Sequence, residues 1–121
     1  MSQKYTLVLG ASSKPDRYSY KAVKMLRQHQ HPVLAIGNKI GQIEHIPIEM
    51  EQRLVAGIDT VTLYLNENRQ KQYYDYIFAL HPKRIIFNPG AENDELAALA
   101  KKRNIETMEA CTLVLLSTGQ Y

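Results

Sequence analysis

The chain has one cysteine, Cys111, among 121 residues. That excludes an internal disulfide framework and any zinc centre built from several thiolates. Long apolar runs are also missing: Thr6–Leu9 and Leu113–Leu116 fall far short of the roughly 20 residues that a membrane-spanning helix needs. The opening Met1-Ser2-Gln3-Lys4-Tyr5 has neither the apolar core nor the small-residue cleavage site of a secretory signal, so a cytoplasmic location is expected. The formal net charge is only +3, and the basic residues are scattered rather than gathered into an arm or patch. This argues against nucleic acid as a partner and allows only a mild preference for small anions. The apolar fraction of 45% with 22% charged residues is that of a folded globular chain, and the length suits a single domain spanning residues 1–121.

Five short apolar or β-branched runs stand out: Tyr5–Leu9, Val33–Ile36, Thr60–Leu65, Arg84–Phe87 and Glu106–Ala110. Most lack polar alternation, as strands buried on both faces do. Val61–Leu65 alternates in part and is expected nearer an edge. Helical spacing appears between them. Residues 19–29 put Ala22, Val23, Met25 and Leu26 on one face, and residues 68–80 put Tyr73, Tyr76, Ile77 and Leu80 at i, i+3, i+4, i+7. Residues 93–103 group Leu96, Leu99 and Ala100, with acids early and bases late, as the helix dipole favours. Thr112–Ser117 reads as a short final helix. Alternating strands and helices require an α/β fold: an open, parallel, five-stranded sheet with helices on both faces. Residues 40–57 show no sustained period, and a short helix near Glu49–Leu54 is all that is expected there.

In such a sheet, ligands bind beyond the carboxyl ends of the strands. This directs attention to Gly10–Ser19, Gly37–Lys39, Asn66–Asn68 and Asn88–Glu92. In the first segment, Gly10 permits a sharp turn and close backbone approach, and the helix that follows offers free N–H groups to an anion. Ser12 and Ser13 add hydroxyls, and Arg17 adds a full charge. Ser13-Lys14-Pro15-Asp16 also has the form of a capping box, so a plain capped turn is the competing reading. A lone glycine excludes the Gly-x-Gly-x-x-Gly fingerprint, and the absence of Gly-Lys-Ser/Thr excludes a nucleoside triphosphatase loop. After the second strand comes Gly37-Asn38-Lys39, where an NAD enzyme would place an acid. If the ligand is an adenine nucleotide, a basic residue there suits a phosphorylated ribose, hence NADP or coenzyme A, and a solvated loop lysine is the competing reading. In Asn88-Pro89-Gly90, Asn88 can bond a ligand or a neighbouring loop, and Gly90 closes the turn.

Val8-Leu9-Gly10-Ala11-Ser12, Pro15-Asp16-Arg17-Tyr18-Ser19, Phe87-Asn88-Pro89-Gly90-Ala91-Glu92-Asn93 and Glu109-Ala110-Cys111-Thr112-Leu113 together resemble the small bacterial CoA-binding domain proteins. These share a Rossmann-like fold with the CoA-binding domain of the succinyl-CoA synthetase alpha subunit. The resemblance implies that Gly10, Ala11, Ser12 and Ser13 face the pyrophosphate of coenzyme A, with Arg17 and Ser19 nearby. It also implies that Gly37, Asn38 and Lys39 face the 3′-phosphorylated ribose, although Ile36-Gly37-Asn38-Lys39 replaces the proline-containing turn common there. Asn66, Asn88 and Gly90 complete the expected contacts. The likeness does not extend to the synthetase's histidine-phosphorylating domain, and His29, His31, His45 and His81 are expected to be structural. The expected function is binding of CoA or acyl-CoA without catalysis. The alternative is an NADP-dependent or acyl-CoA-using enzyme, which would need a pair such as Cys111 with Glu92 or Glu109. Tyr73, Tyr74 and Tyr76 crowd one helix, so Tyr74 could reach an interface such as that of a homodimer.

Overall fold

The computed structural model describes residues 3–121. Its elements alternate as the sequence requires: β1 (Thr6–Leu9), α1 (Tyr18–Gln28), β2 (Val33–Ile36), β3 (Gly41–Ile43), β4 (Ile46–Glu49) and β5 (Thr60–Leu63). There follow α2 (Glu67–Gln70), a 3₁₀ turn (Lys71–Tyr73), α3 (Tyr74–Ala79), β6 (Arg84–Phe87), α4 (Asp94–Lys102), β7 (Glu106–Glu109) and α5 (Thr112–Ser117). The sheet has seven strands rather than five, in the order β3-β4-β2-β1-β5-β6-β7. All pairings are parallel except β3 with β4, which form an antiparallel hairpin.

That hairpin occupies the segment expected to hold a short helix. Ile43 and Ile48 are buried and the residues between them are largely exposed, so the alternation is that of an edge hairpin. Pro47 pairs with Gln42, at the sheet margin where a missing N–H is tolerated. Residues after Glu49 stay irregular. The Arg53 guanidinium grips the Glu49 carboxylate through two 3.0 Å bonds, and the Tyr76 hydroxyl donates to the Arg53 carbonyl at 2.6 Å.

Side chains of successive strand residues point to opposite faces, and two apolar clusters result. Leu7, Leu9, Leu34, Ile36, Val61, Leu63, Ile85 and Phe87 pack with Ile77 of α3 and Leu96 and Ala100 of α4. Val8, Ala35 and Ile48 pack with Val23 and Leu26 of α1 and Leu116 of α5. β5 lies between β1 and β6 and is fully buried, not near an edge. Its polar residues are accommodated by pairing: the Thr60 hydroxyl bonds Asp59 and accepts from Arg84, and Thr62 bonds Thr112 and Asn88. The expected helix over 68–80 is interrupted by the 3₁₀ turn. The break follows Gln70, whose buried side-chain amide donates to the carbonyls of Leu65 and Ala91. Tyr74 packs against the core and bonds Asn93 and Glu95, so its hydroxyl serves the fold itself.

From β1 the chain first builds outward through β2 to the hairpin. It then returns to the other side of β1 for β5, β6 and β7. Loops leaving β1 and β5 therefore diverge, and a crevice opens above their carboxyl ends.

Candidate functional site

A cavity of about 640 Å³ fills that crevice, within the range of small-molecule sites. The loop after β1 supplies Gly10–Lys14, Arg17, Tyr18 and Ser19, and the loop after β2 supplies Asn38 and Lys39. Tyr64, Leu65, Asn66 and Arg69 come from the end of β5 and from α2, and Pro89–Ala91 follow β6.

Two glycines allow this arrangement. Gly10 has φ +97°, a conformation that L side chains rarely adopt. It lets the chain turn so that the Gly10 and Ala11 N–H groups both donate to the Ile36 carbonyl, at 2.8 and 2.9 Å. Gly37 is buried, and a Cβ there would collide with the Ala11 carbonyl oxygen. It does not line the cavity, contrary to its expected place against a ribose. Its role is to let the first two loops run in contact.

Beyond Ala11 the loop pairs few of its polar groups. The Ser12 hydroxyl accepts the Lys14 N–H at 3.2 Å and the Arg17 N–H donates to the Lys14 carbonyl at 3.0 Å, which is a turn rather than a capped helix. The expected capping box therefore does not form, and α1 begins later. Arg17 is its N-cap residue and offers no side-chain acceptor. The N–H groups of Ser12, Ser13, Tyr18 and Ser19 have no partner among the described residues, and no acid occupies the first turn of α1. Free N–H groups and a positive dipole end thus point at the cavity.

The charged lining has one sign. Lys14, Arg17, Lys39 and Arg69 border the cavity, and no Asp or Glu does so among the described residues. None of these four side chains makes a salt bridge or a hydrogen bond within the described chain. Their charges reinforce one another above low-dielectric walls, which concentrates positive potential in the crevice. Arg69 escaped the sequence reading because nothing in the pattern around it marked the short α2 as facing the first loop. Asn66 lines the cavity, but its side-chain oxygen already caps α2 by accepting the Arg69 N–H at 3.0 Å.

The far wall is closed. Asn88, expected to reach a ligand, is buried and does not line the cavity. Its amide donates to Thr62 Oγ1 and the Leu63 carbonyl at 2.7 and 2.9 Å, and its oxygen accepts the Thr112 N–H at 2.9 Å. Gly90 does line the cavity, yet its N–H is held by the Glu92 carboxylate at 3.0 Å. Tyr64 lies beside the buried hydroxyls of Thr62 and Thr112, and burial drives its phenol pKa well above the usual range. It remains protonated at neutral pH.

Cys111 caps α5 without a side-chain bond, is partly buried and does not border the cavity. The structure does not bring it together there with Glu92 or Glu109. His29 ends α1, His31 accepts the Lys4 N–H through Nδ1 at 3.0 Å, and His81 lines a depression with Tyr5, Pro32 and Asp59. These belong to the amino ends of the strands, opposite the cavity. His45 is exposed in the hairpin turn. No group of three or more His, Cys, Asp or Glu is placed to hold a metal among the described residues, and no helix among them is long and apolar enough to cross a membrane.

Topology and cavity together define an open α/β domain of Rossmann-like type with a basic crevice at its switch point. The family model for the CoA binding domain matches residues 4–117, and the chain belongs to that family. A crystal structure described as that of an uncharacterized protein is 43% identical, with a TM-score of 0.97 and full coverage of both chains. A hypothetical protein from Pyrococcus horikoshii OT3 shares 19% identity at a TM-score of 0.87, covering 96% of this chain and 83% of that one. Cell-free ID.343 from Thermus thermophilus shares 18% at 0.85, covering 98% and 91%. The last two show the fold alone. No curated protein matches the chain.

Proposed function

We propose that this protein is a cytoplasmic CoA-binding module that holds the adenosine 3′-phosphate diphosphate of CoA or acyl-CoA in the crevice and catalyses no reaction on it. The observation that carries this reading is the uncapped start of α1 beside four cations that, among the described residues, have no ion-pair partner and no carboxylate between them. The diphosphate lies on the N–H groups of Ser12 and Ser13 and the first turn of α1, with Arg17 and the Ser19 side nearby. Lys39, and Asn38 next to it, take the 3′-phosphate. Gly10 and Ala11 let the backbone approach, and Gly37 holds the two loops together. Family membership supports the ligand class. Among the described residues, no His, Asp or Glu lines the crevice to activate its serines, and Cys111 lies outside the lining.

Titration calorimetry tests this with CoA, 3′-dephospho-CoA and NADP. CoA is expected to bind, and loss of the 3′-phosphate to weaken binding about tenfold, the scale of one charge-assisted bond. No heat with millimolar CoA defeats the reading. Tighter binding of NADP than of CoA replaces the ligand.

A further inference from the structure

The chain has eight tyrosines, and seven of them pack against the two apolar clusters: Tyr5, Tyr73, Tyr74 and Tyr76 on one face, Tyr20, Tyr64 and Tyr121 on the other. Tyr18 belongs to neither. It is 68% exposed, its hydroxyl makes no hydrogen bond among the described residues, and it borders the cavity. Folding therefore leaves most of this residue in water, where a large aromatic surface is costly. It has a charged neighbour. The Lys21 ammonium, one helical turn on, lies over the ring 5.5 Å from its centroid, a cation–π contact that restrains the side chain while most of the residue stays exposed. Tyr18 is also the first residue of α1, beside the unpaired N–H groups. The other aromatic ring of the lining, Tyr64, is mostly buried.

We propose that Tyr18 is the base-stacking residue of this cavity, taking the purine face of the nucleotide whose phosphates lie at Gly10–Ser13. This rests on the CoA reading and adds to it the selection of a base-bearing ligand over a bare phosphate. Phosphate contacts alone accept any oxyanion of suitable charge. An exposed ring at the edge of the anion site adds a stacking contact that only an aromatic ligand can make, about tenfold in affinity per stacked base.

The test uses Tyr18→Ala and Tyr18→Phe in the whole protein, with CoA and, as a probe lacking a base, inorganic pyrophosphate displacing it. Because Tyr18 supports no core packing, both variants should melt as the wild type does. Tyr18→Ala should weaken CoA about tenfold, Tyr18→Phe should keep its affinity, and competition by pyrophosphate should be unchanged. Nuclear Overhauser contacts between the Tyr18 ring protons and the adenine protons should appear in the wild-type complex. CoA binding unaltered in Tyr18→Ala, equal loss of CoA and pyrophosphate, or absent Tyr18–adenine contacts would each overturn the stacking role while leaving the CoA reading intact. A wild-type protein that binds pyrophosphate but no CoA overturns both.

Discussion

The loops after β1 and β6 face each other across one crevice, each leads to a helix, and they treat their polar groups in opposite ways. After β6, Asn88 spends its side chain on three internal bonds. Glu92 holds the Gly90 N–H, Asn93 caps α4 through the Leu96 N–H at 3.0 Å, and its amide binds Gln70 and Tyr74. Asp94 and Glu95 then complement the dipole of α4. After β1, the helix follows Arg17 with no side-chain cap and no acid, and the N–H groups of Ser12, Ser13, Tyr18 and Ser19 are unpaired among the described residues. Backbone donors near the surface can be satisfied by water, so the open loop is tolerable without ligand. It is less stable than it could be, and stability given up at one of two comparable helix starts marks where a ligand is expected.

The contrast can be broken from either side. Asn88→Ala should have the largest effect. It orphans the buried Thr112 N–H and Leu63 carbonyl and leaves a void, costing about 3 kcal/mol or more, read as a lower midpoint in urea. CoA affinity of the molecules that remain folded should change little. Gly37→Ala comes next. Its Cβ meets the Ala11 oxygen, so the first loop must shift, at about 1–3 kcal/mol, and here stability and CoA affinity should fall together. Arg17→Ser sharpens the comparison by closing the open loop. Arg17 has the extended backbone that an N-cap needs, so the serine should raise stability by about 1 kcal/mol, a few degrees in Tm, while CoA binding weakens. A variant that loses both would mean that Arg17 supports the fold instead.

The smallest effect belongs to the opposite end of the sheet and serves as a control. His31 accepts the Lys4 N–H, so it must be neutral. Burial first, then the charge of Lys4, lowers its pKa below the ordinary 6.5. A histidine harder to protonate when folded makes the unfolded chain bind more protons between the two pKa values. Stability should therefore decline as pH falls below about 6.5 and level off beneath the folded pKa. Melting between about pH 5 and pH 7 should show this slope in the wild type and a flatter one in His31→Asn. CoA affinity should not follow the difference.

Central strands were plain in the sequence because burial on both faces writes an unbroken apolar run. Val33–Ile36 and Arg84–Phe87 match their predicted bounds residue for residue. The β3–β4 hairpin was not, since its strands are short, half-exposed and interrupted by Pro47. Its one available sign was the alternation of Ile46 and Ile48. Much of the crevice was legible too, because topology alone says which loops meet at the carboxyl ends. Which side chains remain free was not legible. Asn88 and Lys39 read equally well as ligand contacts, and only tertiary hydrogen bonding separates the buried, saturated amide from the unpaired ammonium. The capping box failed for a similar reason. Its serine and aspartate are correctly spaced, but a tighter turn around Lys14 takes the Arg17 N–H and delays the helix.

The central claim is that the loop after β1 is left open for the phosphates of CoA. Native mass spectrometry of gently purified protein tests it most directly, before and after addition of millimolar CoA. The prediction is a one-to-one complex with CoA or an acyl-CoA that Arg17→Ser diminishes. A chain that carries NADP instead, or that stays free of nucleotide even with CoA added, would contradict it.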